Sequence, residues 1–237
     1  MGAMPHEPAS VPLPAAGSPA APLPAERAGH GPGEGPLTVG FDLNMTLIDS
    51  RPGIRATYLK LSAETGVPID AELAVSRLGP PLEQELAHWF PPEAVEEARE
   101  RYRELYVEHG IAPTLPMPGA REAIAAVRRH GGRAVVVTAK HGPNAELHLE
   151  HLGIAADAVV GDLWAEAKAQ ALRAHGAGVY VGDHVGDVRG AAAAGALSVT
   201  VPTGPCAPEE LRAAGAHVVL AGLGEFPGWL TGHLRTA

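Results

Sequence analysis

Six short apolar runs recur along this chain, and helical patterns separate them. The runs are LTVGFDL, RAVVVTA, DAVV, VYVG, LSVTV and HVVL, in that order. Because almost every position in them is apolar, they predict strands that are buried on both faces, as in a parallel sheet covered by helices on two sides. We therefore expect an α/β fold with a Rossmann-like parallel sheet, whose functional groups lie at the carboxyl ends of the strands.

The segments between these runs carry helical periodicity. The segment PGAREAIAAVRRHGG predicts a helix with Ile124 and Val127 facing inward and Gly131 at its end. Further helices are expected near residues 142–152, 165–175 and 188–194, and after Pro208. Strand and helix alternate through this part of the chain, which indicates βαβ units.

The stretch from 52 to 116 differs in kind, since it holds helical patterns and no strand between them. Apolar residues at spacings of three and four mark three helical segments, with Ile54, Tyr58 and Leu61 in the first and Tyr102 and Leu105 in the last. A small antiparallel bundle suits these spacings. We expect an all-helical cap over 52–116, inserted into a core formed by 37–51 and 117–237.

Residues 1–36 are rich in Pro, Ala and Gly and have few large apolar side chains, so we predict an N-terminal tail without a core of its own. The net charge of -9 argues against nucleic acid as a partner. No apolar run reaches the about 18 residues of a membrane span, and the chain start lacks a secretory pattern. We expect a cytoplasmic protein without a membrane partner, and the sequence does not indicate its oligomeric state.

Several polar and charged side chains lie at positions expected to be near the carboxyl ends of the predicted strands. Asp42 follows the first strand, Thr138 closes AVVVT, Lys168 lies in a later helix, and Asp183 and Asp187 form the pattern GDHVGD after VYVG. Each residue alone has an ordinary structural explanation, such as a helix cap or a solvated charge. The set is specific because these residues occur in this order, and each follows a predicted buried strand or lies in a predicted helix.

In this order the motifs resemble those of the haloacid dehalogenase-like hydrolase superfamily, within the helical-capped group that includes phosphoglycolate phosphatase and beta-phosphoglucomutase. The resemblance extends from residue 37 to about residue 222. It implies the same core and cap that the periodicity predicts. It also implies phosphoryl transfer, a reaction that needs a nucleophile, charge neutralisation around the phosphate and in-line geometry.

The resemblance assigns roles to individual residues. Asp42 would be the nucleophile that forms an aspartyl-phosphate. A magnesium ion would be held by Asp42, the backbone carbonyl of Asn44 and Asp183, with Asp187 as a further ligand or a neighbour that supports them. Lys168 would supply a fixed positive charge to the phosphate and the nucleophile.

The phosphate oxygens would be bound by the Thr138 hydroxyl and by the backbone amides of Leu43, Asn44 and Ala139. Lys140 lies close enough in sequence to the same strand end to contact substrate. Arg77, in the cap stretch SRLGPPLEQE, could meet a substrate anion, because a Gly-Pro-Pro break favours a rigid projecting loop.

Asn44 departs from the pattern of family phosphatases, which usually have a second aspartate two residues after the nucleophile. That aspartate protonates the leaving alkoxide and then activates water, whereas an amide exchanges no proton near neutral pH. General acid–base assistance contributes roughly 10²- to 10⁴-fold in rate. Asn44 therefore removes proton transfer while its carbonyl can still bind metal.

Several interpretations remain open at this stage. The leading one is a magnesium-dependent phosphatase for a small phosphorylated metabolite, such as a sugar phosphate, phosphoglycolate or a secondary-pathway intermediate, that is impaired at Asn44. A natural enzyme with weak activity, or one whose substrate has a good leaving group, fits the same residues. Dehalogenase or phosphonatase chemistry is a further alternative, with Lys60 as the only lysine of the cap. A non-catalytic module that binds a phosphorylated metabolite is the last.

Overall fold

A computed structural model describes residues 36–236, which contain a six-stranded parallel sheet. The strand order is β5-β4-β1-β6-β7-β8. The strands are β1 Thr38–Phe41, β4 Arg133–Val137, β5 Ala158–Val160, β6 Val179–Gly182, β7 Leu197–Thr200 and β8 Val218–Val219. All six predicted strands are therefore present, and the α/β prediction is confirmed. The predicted tail lies outside the described residues, apart from its last position.

Strand β1 lies at the centre of the sheet, between β4 and β6. Phe41 is in register with Val136 on one side and with Val181 on the other. The inward side chains of β1 are fully buried, because helices cover both faces of the sheet. The residue after β1 therefore enters the middle of the carboxyl edge, where neighbouring strands end beside it.

Six helices accompany the strands of the core. They are α5 Ala120–Arg129, α6 Gly142–Leu152, α7 Lys168–Ala174, α8 Val185–Ala194, α9 Pro208–Ala213 and α10 Phe226–His233. The first five occupy the predicted places, although a 3-10 turn at Ala165–Ala167 precedes α7. Helix α10 was not predicted, because its sequence FPGWLTGH contains two glycines and a proline. Burial of Phe226 and Leu230 in the core cluster stabilises it instead.

The insert between β1 and β4 is helical, as the spacing predicts. Its helices are α1 Arg51–Thr65, α2 Ala71–Ser76, α3 Leu82–Leu86 and α4 Val95–His109, with a 3-10 turn at Pro92–Ala94. They share a hydrophobic cluster of their own, separate from the core of the sheet. Helices α1 and α4 approach so closely that a Cβ added to Gly53 would lie 2.0 Å from the carbonyl oxygen of Gly110. Glycine is required there for packing.

A short antiparallel ribbon joins the two ends of the insert. Strand β2, Ile48–Asp49, pairs with β3, Leu115–Pro116. The expectation of an entirely helical segment over 52–116 is therefore corrected at its last two positions. The physical reason is local, since the two chain segments that enter and leave the insert run side by side and satisfy each other's backbone groups.

A buried polar contact links the insert to the core. The Tyr106 hydroxyl, on α4, lies 3.0 Å from Nε2 of His148, on α6, and accepts a hydrogen bond of 2.8 Å from Nζ of Lys140. His148 is fully buried, and its Nδ1 has no hydrogen-bond partner within residues 36–236. The histidine is therefore held as a neutral ring that cannot be solvated when it gains a proton.

None of the helices within the described part of the chain is both long enough and apolar enough to cross a membrane.

His148 makes the stability of this protein depend on pH. Burial, with smaller effects of Lys140 and His151, lowers the pKa of His148 from 6.5 to about 2. Between these values the unfolded chain binds a proton that the folded chain does not, so stability is present above about pH 6.5 and falls as the solution is acidified. We expect the free energy of unfolding to lose up to about 1.4 kcal/mol per pH unit from this group.

Urea unfolding from about pH 7 to about pH 5 measures this loss. In the His148→Gln variant the pH dependence should be shallower, whereas His151→Gln, an exposed position on the same helix, should behave as the parent. Equal slopes for His148→Gln and the parent would contradict the assignment.

Candidate active site

Lys168 is the centre of a buried charge cluster at the carboxyl edge of the sheet. Its Nζ donates hydrogen bonds of 2.9 Å to Oδ1 of Asp42 and 2.6 Å to Oδ1 of Asp187, and lies 2.8 Å from the Tyr180 hydroxyl. The side chain is 1% exposed. Lys168 begins helix α7, so the helix that packs beside the sheet carries the ammonium group directly to the end of β1.

The loop between β6 and α8 positions the second pair of aspartates. Oδ2 of Asp187 accepts the backbone N–H groups of Asp183 and His184, each at 3.1 Å. This contact closes the first turn of α8, in the manner of an N-terminal capping box. A Cβ on Gly182 would lie 2.4 Å from the Asp187 side chain, so the turn requires glycine at that position. The spacing GDxxxD therefore brings the Asp187 carboxylate back to the backbone of Asp183.

Asp183 faces the open side of the cluster. Its Oδ1 accepts a 2.8 Å hydrogen bond from the Thr46 hydroxyl. The loop after β7 passes so near that a Cβ on Gly204 would lie 1.8 Å from Oδ2 of Asp183. Within residues 36–236 no hydrogen-bond donor reaches that oxygen.

The three carboxylates carry more negative charge than the single lysine balances. One oxygen from each of Asp42, Asp183 and Asp187 lies within 4.8 Å of the others. Burial raises the pKa of Asp42 to about 6, with Asp187 adding to the rise and Lys168 opposing it. Burial and the two neighbouring carboxylates raise the pKa of Asp183 well above its usual value. Burial alone would lower the pKa of Lys168, but Asp187 and Asp42 together raise it.

This donor set fits a hard divalent cation. Such a cation prefers carboxylate and carbonyl oxygens, and it would neutralise the excess charge of the cluster. The Asn44 carbonyl accepts no hydrogen bond from the described residues, and Asp183 retains a free oxygen. Asp187 differs from both, because Lys168 and two amides already occupy its oxygens. Of the two roles expected for Asp187, these contacts favour support of Lys168 and the Asp183 loop, whereas Asp42, Asp183 and the Asn44 carbonyl keep oxygens free for a metal.

Three backbone amides of the predicted phosphate site have no partner in the described part of the chain. These are the N–H groups of Leu43, Asn44 and Ala139. The Thr138 hydroxyl follows β4 and accepts a hydrogen bond of 3.3 Å from the backbone N–H of Lys140, while its own proton can be donated to the adjacent Asp42 carboxylate or to a bound anion. Unpaired amides and a hydroxyl beside a cationic group form a cradle that an anion can fill.

The loop after Asp42 is strained. Met45 has a φ of 59°, in the left-handed region that costs a residue with a side chain roughly 1–2 kcal/mol. Its carbonyl accepts a hydrogen bond of 2.5 Å from the Thr203 hydroxyl, which holds the turn. Beside it, Oδ1 of Asn44 is buried without a hydrogen-bond partner in residues 36–236. The Asn44 amide therefore faces the site with unused hydrogen-bonding capacity.

Two expected substrate contacts, Lys140 and Arg77, line a cavity of about 150 Å³ next to the cluster. Nζ of Lys140 lies 2.8 Å from the Tyr106 hydroxyl and 3.9 Å from the ring centre. Burial lowers the pKa of Lys140 to about 7, against an opposing effect of Asp42. The guanidinium of Arg77 is paired through two hydrogen bonds of 2.5 and 3.0 Å with Glu85. Arg77 reaches the cavity wall, but with its charge already balanced.

The stretch SRLGPPLEQE of the insert lies next to the carboxylate cluster of the core. Leu78 and Gly79 line a smaller, narrow cavity together with Asp42, Asn44 and Asp183. A Cβ on Gly79 would lie 2.8 Å from the His184 ring, and its φ of 135° also favours glycine. The insert therefore closes over the carboxylates at this loop. Lys60 lies elsewhere, exposed on α1 and 3.3 Å from Glu64, so it does not supply the site with a lysine.

Sequence reasoning missed three residues of the site. Tyr180 donates to the Val137 carbonyl at 2.6 Å and supports Lys168, Thr46 orients Asp183, and Trp164 lies over His184 at a ring separation of 5.0 Å. A tyrosine in the otherwise apolar strand VYVG was a usable signal, because a buried hydroxyl needs a partner. Thr46 and Trp164 gave none, since their roles arise from contacts distant in sequence.

Comparisons with known proteins agree with this geometry. Residues 39–192 match the family model for haloacid dehalogenase-like hydrolases, and residues 163–226 match a second model of hydrolases of the same type. A haloacid dehalogenase-like hydrolase from Streptococcus pneumoniae has the same fold, with a TM-score of 0.72 at 24% identity over 84% of this chain and 98% of that one.

Two curated relatives are similar in sequence. The tyrosine-protein kinase PtkA of Mycobacterium tuberculosis is 34% identical over 192 residues, which are 75% of this chain and 66% of the relative. The probable phosphatase IndB of Dickeya dadantii is 30% identical over 213 residues, which are 81% of this chain and 92% of the relative. The chain thus spans just under two thirds of PtkA and most of IndB. With the sheet, the helical insert and the aspartate-lysine cluster in place, these matches show that the chain belongs to the haloacid dehalogenase-like hydrolase family.

Proposed function

We propose that this protein is a phosphomonoester hydrolase that forms an aspartyl-phosphate on Asp42 and acts on a small phosphorylated metabolite. The observation that carries the proposal is the contact between Lys168 and Asp42, which holds a buried carboxylate at the centre of the strand ends. The match to a probable phosphatase over 92% of that relative supports the same reaction class.

Different residues supply the nucleophile and the phosphate-binding groups of phosphoryl transfer. Asp42 attacks phosphorus through its free oxygen, because Lys168 occupies the other. The unpaired amides of Leu43, Asn44 and Ala139, with the Thr138 hydroxyl, bind the equatorial oxygens of the phosphate. Since these donors are fixed by the backbone, they stabilise the charge of the transition state without reorganising.

Magnesium would be held by Asp42, the Asn44 carbonyl and Asp183. When bound, it supplies the positive charge that lets an anionic nucleophile approach an anionic phosphate. Asp187 contributes by fixing Lys168 and the Asp183 loop. We further propose that the helical insert over 52–116 acts as a cap that excludes bulk water, since Leu78 and Gly79 already border the carboxylates.

The reaction is slow with Asn44. Asn44 cannot act as a general acid and base, so departure of an alkoxide and attack by water both lose the assistance of a second aspartate. The phosphoryl group would therefore reside on Asp42 for longer than in a relative with a second aspartate.

The Asn44→Asp variant is expected to release phosphate from small alkyl phosphate esters about 10²- to 10⁴-fold faster than the parent, because it restores general acid–base catalysis. Steady-state phosphate release with magnesium, over a panel of esters, measures the change. The double variant Asn44→Asp with Asp42→Asn is the matched control and should be inactive. Equal rates for parent and Asn44→Asp would mean that the proton comes from another group, and no activity in either would favour a binding module instead.

Magnesium is expected to raise the thermal stability of the parent, because it binds a folded cluster in which three carboxylates share one lysine. At about 100-fold excess over the dissociation constant the gain is about 2.7 kcal/mol. Thermal unfolding with magnesium and with a chelator measures it without reference to activity. Asp183→Asn should lose most of the gain, and Asp157→Asn, outside the site, should retain it. A gain that survives Asp183→Asn would overturn the assigned ligands.

A second candidate is phosphoryl transfer to an acceptor other than water. Asn44 favours it, because a phosphorylated Asp42 that cannot activate water is preserved for another nucleophile. The relative PtkA is named a tyrosine-protein kinase, which makes a tyrosine hydroxyl the first acceptor to test. Enzyme that carries a radiolabelled phosphoryl group on Asp42 is mixed with a tyrosine-containing peptide or with buffer alone. Label on the peptide supports transfer to tyrosine, and label released only as inorganic phosphate supports hydrolysis.

A further inference from the structure

The large cavity next to the cluster continues the space in which the phosphate would bind. It shares Asn44, Leu78, Gly79 and Ala139 with the smaller cavity around Asp42. A substrate with its phosphoryl group at Asp42 would therefore pass Asn44 and place its leaving group in the cavity of about 150 Å³ under the insert. The lining of that space decides which leaving groups fit.

Three tyrosines with their rings in tilted contact line part of this cavity. The ring centres of Tyr58 and Tyr102 are 4.8 Å apart, and those of Tyr102 and Tyr106 are 5.6 Å apart. The rings are 2%, 6% and 1% exposed. Apolar surface in the lining also comes from Ile54, Leu78 and Pro81. A flat aromatic body matches such a lining better than a polyhydroxylated one, since rings stack favourably and sugar hydroxyls would lose water.

Two hydroxyls in this lining lack partners. The Tyr106 hydroxyl is engaged by Lys140 and His148, but those of Tyr58 and Tyr102 make no hydrogen bond with any described residue. Nine-tenths-buried hydroxyls usually find a partner. Their position in the lining leaves them available to a polar substituent on the bound ring.

The charges around the cavity are mostly balanced within the protein. Arg77 is paired with Glu85, and Arg103 lies 3.0 Å from Asp162. Lys140 contacts no carboxylate in residues 36–236 and is directed to Tyr106. The space therefore provides little net charge for a second phosphate.

Asn44 adds an independent chemical restriction. An amide can donate a hydrogen bond to the leaving oxygen but cannot protonate it. A phenolate, whose conjugate acid has a pKa near 10, leaves under those conditions. An alkoxide resembles hydroxide, whose conjugate acid has a pKa of about 15.7, and does not leave without a proton.

We propose that the leaving group of this enzyme is a phenol, so that its substrates are aryl phosphates bound in the tyrosine-lined cavity. The inference rests on the proposed function. An oxygen of the Asp42 carboxylate bonds to phosphorus as the bond from phosphorus to the aryl oxygen breaks. The electron pair leaves on the phenolate, which takes a hydrogen bond from the Asn44 amide and then a proton from solvent. Water later cleaves the aspartyl-phosphate to inorganic phosphate.

Phenyl phosphate and benzyl phosphate test the proposal as a matched pair. Both carry one aromatic ring, but the first releases a phenolate and the second an alkoxide. For the parent we expect rapid-quench measurements to show a burst of about one phenol per site, and a rate at least about 10²-fold above that of benzyl alcohol release. In Asn44→Asp the ratio should shrink to less than about 10-fold, because the restored acid protonates the alkoxide.

The outcomes separate the two proposals. If Asn44→Asp hydrolyses alkyl phosphates while phenyl phosphate shows no advantage in the parent, the aryl leaving group is wrong and the phosphatase stands. If neither protein forms a phosphoenzyme from either ester, the proposed function itself fails, and the inference with it.

The binding of the substrate's aryl ring by the tyrosines of the cavity can be tested separately. In the Asn44→Asp background, Tyr102→Leu should raise KM for phenyl phosphate roughly 2- to 10-fold more than KM for glycerol phosphate, because only the aryl ester loses an aromatic pair. Tyr102→Phe keeps the ring and is the control. A parallel rise for both substrates would show that Tyr102 only supports the fold, and would contradict ring binding.

Discussion

The contact of one buried ammonium group with two carboxylates organises this molecule. Lys168 bridges Asp42, after the central strand, and Asp187, in the first turn of α8. Because an unpaired charge in such a place would cost several kcal/mol, the sheet, α7 and α8 can only assemble together with these groups in contact. Tyr180 completes the arrangement from the neighbouring strand. The same contact leaves one oxygen of Asp42 available, which is what the proposed nucleophile requires.

In the function that we propose, the site around this contact keeps the groups that bind phosphate and metal but has an altered proton pathway. The free amides of Leu43 and Ala139 and the open oxygen of Asp183 suit a phosphate and a divalent cation. Asn44 interrupts only the transfer of protons. A leaving group that needs no proton reconciles the two, and the tyrosine-lined cavity offers space for such a group where the insert meets the core. A site with Asn44 would therefore be slow with alkyl esters, whose leaving group needs a proton, and effective with aryl esters, whose leaving group does not.

Much of the fold was predictable because the physical signals were local. Runs such as AVVV are apolar on both faces, and this property alone indicates a strand in a covered parallel sheet. The positions of Asp42 and Asp183 followed from their places directly after such strands. Helix α10 and the ribbon between β2 and β3 were missed, since two-residue strands and a helix with Gly and Pro depend on packing for their stability.

By itself the sequence determined the order of strands and helices, the residues at the strand ends and the absence of a second acid at Asn44. Only the tertiary structure decided how these groups share their charge. Asp187 and Asp183 have the same chemistry and stand four residues apart, yet one is saturated by Lys168 and two amides while the other keeps a free oxygen. The ring contact between Tyr58 and Tyr102 was equally undetermined by the sequence, because residues from α1 and α4 meet only when the insert folds. Partners distant in sequence are chosen by three-dimensional proximity, which no local pattern encodes.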